Sequence, residues 1–395
     1  MEQQKLYPLT GSLAKLFPNL LWGVAALGGL GCLFAFFHDR HHFYFSYLFA
    51  FLFFLTISLG SLFFVMIQFI SAAGWSVVVR RVAEHLMNNL WLMGLLFIPL
   101  LFGMPDLFHW SHPDVMEKDA LLKTKSAYLN IPFFIIRAVA FFGIWIFLSS
   151  LFFRNSVKQD ESGDKGITQK LQKWSAPGLI LYALSQTYAG FDWIMSLEPH
   201  WYSTILGVYF FSGSVVVAVA MIGLVCHFLR WAGFLKDVIT VEHYHDLGKL
   251  LYAFTIFWTY IAFSQFMLIW YGNIPEETIW FWQRIQGNWK SVSILLAVGH
   301  FAIPFVVFMS RNMRRNLLVH TLMVCWMIFI HLVDIYWLVM PTGSPAGAHP
   351  GLAEVCCLLV IGGVFGRFLL KGLSKFSLIP SKDPRLQESL DFENS

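Results

Sequence analysis

Long apolar runs alternate with short polar breaks along this chain. The runs lie at 18–37, 46–72, 86–103, 130–153, 175–191, 203–229, 248–271, 289–309, 317–340 and 351–371. About 20 mostly apolar residues in a helix cross the hydrocarbon layer of a bilayer, and a helix pairs its own backbone groups where no water can. The pattern predicts an all-α polytopic membrane protein of about ten transmembrane helices. The third run is short and the sixth long. The first follows Lys5 and Lys15, exceeds a signal-peptide core in length and lacks a small-residue cleavage pattern, so it reads as a retained span. The polar stretch 154–173 (RNSVKQDESGDKGITQKLQK) reads as a solvated linker at the midpoint of the spans. The tail after Ser377, with Pro380 and Pro384, reads as irregular and exposed.

Lysine and arginine set the expected orientation. With the N-terminus in the cytoplasm, 19 of the 27 basic residues fall in cytoplasmic segments and 6 outside. Both termini are expected on the cytoplasmic side. The segment FDWIMSLEPHWYST (191–204) then faces outward, with Asp192, Glu198 and His200 and no lysine or arginine.

The midpoint linker suggests duplication. Gly60-Ser61 in the second run matches Gly213-Ser214 in the sixth. Residues 102–106 (FGMPD) match 271–276 (YGNIPE). Asp192 stands seven residues before Pro199, as Asp334 does before Pro341. These matches, in one order, predict two parallel four-helix bundles related by an axis along the membrane normal. The expected divisions are a flanking helix in 1–45, bundles in 46–196 and 197–340, and a second flanking helix with a tail in 341–395.

Composition narrows the class further. Hydrophobic residues make up 57% and charged residues 13% of the chain, against about 25% charged in soluble domains. Aromatics reach 18%, which suits interfacial belts. The net charge of +4 comes without a basic stripe, so nucleic acid is not an expected partner. Cys32, Cys226, Cys325, Cys356 and Cys357 lie in apolar runs without a C-x-x-C pattern. That spacing argues against haem c, iron–sulfur and zinc sites on this chain.

Ionisable groups inside spans are costly and ask for a partner or a water-filled path. Asp192, Asp334, Glu354 and Arg137 fall near the outer ends of their runs, His300 and His331 deeper, and Gln68, His227 and Arg367 towards the inner side. Gln186 and Gln265 add buried amides. His331 and Asp334 are three apart and share one helix face. The set reads as a sparse ladder for protons, since desolvated carboxyls and histidines exchange protons near neutrality. The competing reading for a lone histidine is an interhelical hydrogen bond. Arg137 is placed to snorkel or to pair with an acid. A haem b needs two histidines at matching depth; His300 and His331 differ by about a turn, and no such pair recurs in both bundles. The segment 268–289 gathers Trp270, Trp280, Trp282 and Trp289 with Glu276 and Glu277 after Pro275. With Glu198 and His200 these form either a solvated outer surface or a docking face.

The segments FDWIMSLEPHWYSTILGVYFFSGS (191–214), FTIFWTYIAFSQFMLIWYGNIPEET (254–278) and GWSVVVRRVAE (74–84) resemble the NrfD/polysulfide-reductase membrane-subunit superfamily. Within it the chain is most similar to the second such subunit of alternative complex III, across nearly its whole length. The resemblance implies two four-helix bundles with flanking helices, in the bacterial inner membrane. It implies a quinol-oxidising complex in which this chain carries no redox centre and contributes a proton path, with quinol contact open. Haem c and iron–sulfur clusters would sit on partner subunits: multihaem and monohaem cytochromes, an iron–sulfur subunit and a second NrfD-like subunit. Asp192, Glu198, His200 and Gln265 match motif positions; His300, His331 and Asp334 come from depth alone. The competing expectations are an autonomous secondary transporter and a purely structural anchor.

Overall fold

The computed structural model describes residue 9 and residues 12–394, and no strand occurs among them. The elements are α1 (Ser12–His38), α2 (Arg40–Ile70), α3 (Val77–Phe102), α4 (Ile131–Ser162), α5 (Lys165–Trp193), α6 (Leu206–Trp231), α7 (Val241–Gly272), α8 (Pro275–Ile285), α9 (Trp289–Met309), α10 (Leu317–Gly343), α11 (Leu352–Lys375) and α12 (Leu386–Leu390). Short helical turns fill 104–124. Among the described residues nine helices are long and apolar enough to cross a membrane; α5, α8 and α12 are not among them. At 29 residues α5 has the length of a span, but its first turns are polar.

Capping chemistry explains how the midpoint folds. Asn130 accepts from the Phe133 amide at 2.9 Å to open α4. Lys, Gln and Glu in 154–173 are good helix formers, so α4 runs on to Ser162. Gly163 then takes a left-handed conformation (φ +66°), which glycine adopts without Cβ strain. Asp164 accepts from the Gly166 amide at 2.8 Å and opens α5. The expected linker is therefore a two-residue turn inside a helical hairpin.

Two more expectations are corrected. The third span starts at Val77, so Arg80 and Arg81 lie within a helix rather than in a loop, and both are buried. The tail after Ser377 is ordered: Leu378, Ile379, Asp383 and Ser389 are buried, and α12 folds against the start of α3. Ser389 accepts from the Val78 amide at 3.3 Å and donates to the Trp75 carbonyl at 2.6 Å.

Burial ranks the helices. The most apolar stretch of α2 is 89% buried and that of α6 is 78%, against 11% for α1. Helix α2 packs on α3, α5, α6, α10 and α11, while α6 also packs on α5, α7 and α10. Helix α1 lies along α11. The crossing of α2 and α6 is made by Gly60, where an added Cβ would fall 2.0 Å from the Ser214 carbonyl oxygen. Side chains of any size would hold these axes farther apart, so the glycine sets the closeness of the core.

Connections segregate to two ends. At one, Arg80 pairs with Glu84 (3.1 Å) and Asp383 (2.5 Å), and Arg81 with Glu84 (3.0 Å) and Asp160 (2.7 Å). Arg315 pairs with Glu242 at the same end, and Arg311 donates to the Asn394 carbonyl. At the other, Arg40 pairs with Asp106 (3.0 Å), His200 with Asp119 (2.6 Å), and Asn288 donates to the Ala348 carbonyl (2.8 Å). These are called below the Arg80 end and the Glu198 end.

Candidate functional site

Helix α9 is interrupted at its middle. Pro304 has no N–H to give to the carbonyl four residues back, which is that of His300. The helix widens into a π turn over Ala297–Ala302, and this irregularity carries His300 into the interior. There the imidazole stacks on the Trp258 ring of α7 with centroids 3.7 Å apart and planes at 17°. Neither of its ring nitrogens has a hydrogen-bond partner among the described residues.

From α10, one turn of helix brings His331 and Asp334 to the same place. One ligand-type atom from each of His300, His331 and Asp334 lies within 4.8 Å of the other two, and all three residues are buried. Tyr209 of α6 donates its phenol hydrogen to Asp334 Oδ1, and Trp258 Nε1 donates to Oδ2 at 3.2 Å. Gly213 makes room for the pair: an added Cβ would lie 2.9 Å from His331 Cε1.

Thr56 of α2 reaches the same histidine. Its hydroxyl lies 2.7 Å from the Phe53 carbonyl and 3.1 Å from His331 Nε2, within hydrogen-bond distance of both. On the other side of the ring, Nδ1 lies 3.7 Å from Asp334 Oδ2.

An apolar cleft reaches this cluster. It has a volume of about 960 Å³ and is bounded by α7, α8, α9 and α10. Tyr209, Trp258, Thr259, Tyr260, Gln265, Lys290 and Ser293 are its polar lining residues, and Phe266, Phe281 and Phe301 form much of its wall. Phe263 and Ile294 at the rim are exposed, so the cleft opens on the apolar flank. Gln265 donates to Ser203 Oγ at 3.1 Å.

The other sequence-derived candidates are held elsewhere. Asp192, at the end of α5, takes Arg137 Nε on Oδ2 (2.7 Å), Arg137 Nη2 on Oδ1 (3.0 Å) and the Tyr128 hydroxyl on Oδ1 (2.8 Å). Arg137 pairs with an acid, as one of its two sequence readings has it. Glu354 accepts from Ser46 (3.0 Å) and the Gly351 amide (2.8 Å) and lies 2.8 Å from His42 Nε2. His227 shares a 2.9 Å hydrogen bond with His320 and stacks on Tyr244. Gln68 is buried in α2 towards the Arg80 end.

At the Glu198 end, Glu198 accepts from the Thr342 hydroxyl at 2.7 Å and lies 3.5 Å from Arg284. Arg284 is buried, with its guanidinium 3.6 Å over the Trp280 ring and bonds to the Trp280, Trp337 and Leu338 carbonyls. Burial pushes its pKa down to about 10 against the pull of Glu198, and it remains charged at neutral pH. His200 and Glu276 are exposed and Glu277 half-buried. Asp119, bonded by the Leu122 amide and by His200, is held below the usual carboxylate range.

Thr56, Tyr209, Trp258, Arg284 and His320 escaped the sequence reading. Pro304 was the one signal that pointed to the interruption at His300. No protein-family model matches the chain, and no curated protein does. Fold and site together define a polytopic all-α membrane protein with a buried His–His–Asp cluster beside an apolar cleft.

Proposed function

We propose that this chain is a membrane subunit of a quinol-oxidising respiratory complex, of the alternative complex III type, and that its buried cluster handles quinol protons. The observation that carries the reading is shared lining: Tyr209 and Trp258, which bond Asp334, also line the cleft. A quinol is a flat ring with two hydroxyls on a long apolar tail. Apolar walls suit the ring and tail, and a few convergent polar groups suit the hydroxyls. Oxidation releases two protons and two electrons. Asp334 accepts the two protons in turn, and His331 and His300 relay each of them onward. His227 with His320, and then Gln68, extend the route towards the Arg80 end. Asp192 and Glu354 tie helix ends.

The electrons leave through haem c and iron–sulfur clusters on partner subunits, and this chain holds none. Glu198, His200, Glu276 and Glu277 mark the face on which such partners dock. The setting is a bacterial inner membrane with the Arg80 end in the cytoplasm, in keeping with the lysine and arginine bias. Purification of the complex from its own membranes through a tag on this chain should yield haem and iron absorbance with quinol-oxidising activity. Asp334→Asn should lower turnover about 100-fold, the scale of a lost acid–base group. A preparation without haem or iron would sink the reading.

A second reading, proton-coupled transport by the chain alone, draws on the π turn before Pro304, since interrupted helices form substrate sites in transporters. Substrate uptake into liposomes holding only this chain would replace the first reading by the second.

A further inference from the structure

We infer that His300, His331 and Asp334 form a binding site for a divalent transition-metal ion of the zinc class. The inference rests on the cluster used above, but not on the redox reaction assigned to it.

Three features point to a metal ion. The first is the donor set: two imidazoles and one carboxylate, a common three-ligand set for zinc. Imidazoles favour Zn²⁺ and its first-row neighbours over Mg²⁺ and Ca²⁺, which take oxygen ligands. The second is orientation from outside the donor set. The Thr56 hydroxyl holds His331 Nε2 at 3.1 Å, on the side of the ring away from the Nδ1 that faces Asp334. Tyr209 and Trp258 hold both carboxylate oxygens of Asp334. Metal-ligating histidines and carboxylates are oriented in this way by partners on their other atoms. The third is His300, fully buried with both ring nitrogens unpartnered among the described residues.

Distances are close to those required. Zinc bonds of about 2.0–2.2 Å at tetrahedral angles place two donors about 3.3–3.6 Å apart. The donor atoms lie within 4.8 Å of one another, and His331 Nδ1 and Asp334 Oδ2 at 3.7 Å. The His300 imidazole lies flat against the Trp258 ring, a contact that permits sliding in the ring plane. Tyr209 can turn its hydroxyl oxygen to a fourth position. The cleft beside Tyr209 and Trp258 supplies a path for the ion.

Cobalt reports on the site directly. The purified full-length chain in detergent, without quinol, is titrated with Co²⁺ and followed by visible absorption. One equivalent should give the intense bands of a four- or five-coordinate ion, and Zn²⁺ should abolish them. His300→Gln and Asp334→Asn should each weaken binding at least about 10-fold, whereas His227→Ala, which breaks the other histidine pair, should not. X-ray absorption of the zinc-loaded wild type should show two imidazoles in the ligand shell, whatever the variants do. No cobalt bands, bands that survive both cluster variants, or a shell without imidazole would overturn the inference. Quinol turnover separates the two claims. If cobalt binds as described while Asp334→Asn leaves turnover unchanged, the metal site stands and the redox reading falls. If turnover collapses in that variant and cobalt does not bind, the reverse holds.

Discussion

The Thr56 hydroxyl is the hydrogen-bond partner 3.1 Å from His331 Nε2 in a buried interior. Thr56→Val would leave that nitrogen unpaired, at a cost of about 1–3 kcal/mol. Under the proposed function, quinol turnover of the tagged complex should fall several-fold in Thr56→Val and recover in Thr56→Ser. Equal turnover in both would show that this contact does not matter. Arg137 and Asp192 behave differently, as a closed pair. Arg137→Ala strands a buried carboxylate and should cost about 3–5 kcal/mol, while Arg137→Met combined with Asp192→Leu should regain much of it. Thermal unfolding in detergent checks the order of the three proteins. His331 with Asp334 was legible from their spacing of three. Tyr209 and Trp258 were not, because one tyrosine among 13 and one tryptophan among 16 carry no local mark. Their role exists only once α6, α7 and α10 meet.

Among elements, the crossing of α2 and α6 is the most exacting contact. Gly60→Leu meets the Ser214 backbone, which cannot yield as a side chain can. Its yield as a monodisperse species on size exclusion should be far below wild type, with Gly143→Leu, where nothing lies within 4 Å, as the tolerated control. The repeat search singled out Gly60 and Gly213 by their neighbours in sequence, and both prove to be points of close approach. At the α4–α5 turn the sequence signal runs the other way. Polarity in 154–173 suggested solvent, and solvent does face much of it, but polarity does not forbid a helix. Gly163 followed by Asp164 was the readable stop-and-start signal. The 104–130 connection carries a pH dependence. Asp119 has a depressed pKa, so the stability it contributes is whole above about pH 3.9, the free carboxylate value, and is lost as pH falls through its folded value. Amide exchange across 119–124 should quicken in that acidic window and not between pH 5 and 8. An unchanged rate at low pH would contradict this.

For the whole molecule, the long apolar helices were plain in the sequence because lipid imposes a length and a hydropathy on each span. The Arg80 end was not. Arg80 finds Asp383 across 303 residues, and no periodicity signals so distant a partner. Counting both arginines as loop charges gave the expected orientation while hiding their structural task. Deletion of residues 378–394 removes Asp383 and leaves Arg80 with Glu84 alone. That variant should melt at a clearly lower temperature in detergent, whereas Asp391→Ala, at an exposed position in the same tail, should not.

The same tail imposes an order on biogenesis. Residues 378–394 follow every long helix, so the ribosome makes them after all of those helices. Until they arrive, Arg80 lacks one of its two acids, the Trp75 carbonyl and the Val78 amide lack Ser389, and His243 lacks the Ser389 carbonyl 3.0 Å from its Nε2. Membrane insertion and native closure are therefore separate events, and the second waits until residues 378–394 have been made. A chain stalled after α11 would be threaded through the bilayer yet unlatched at one end, exposing buried charge to whatever surveys the membrane for unfinished proteins.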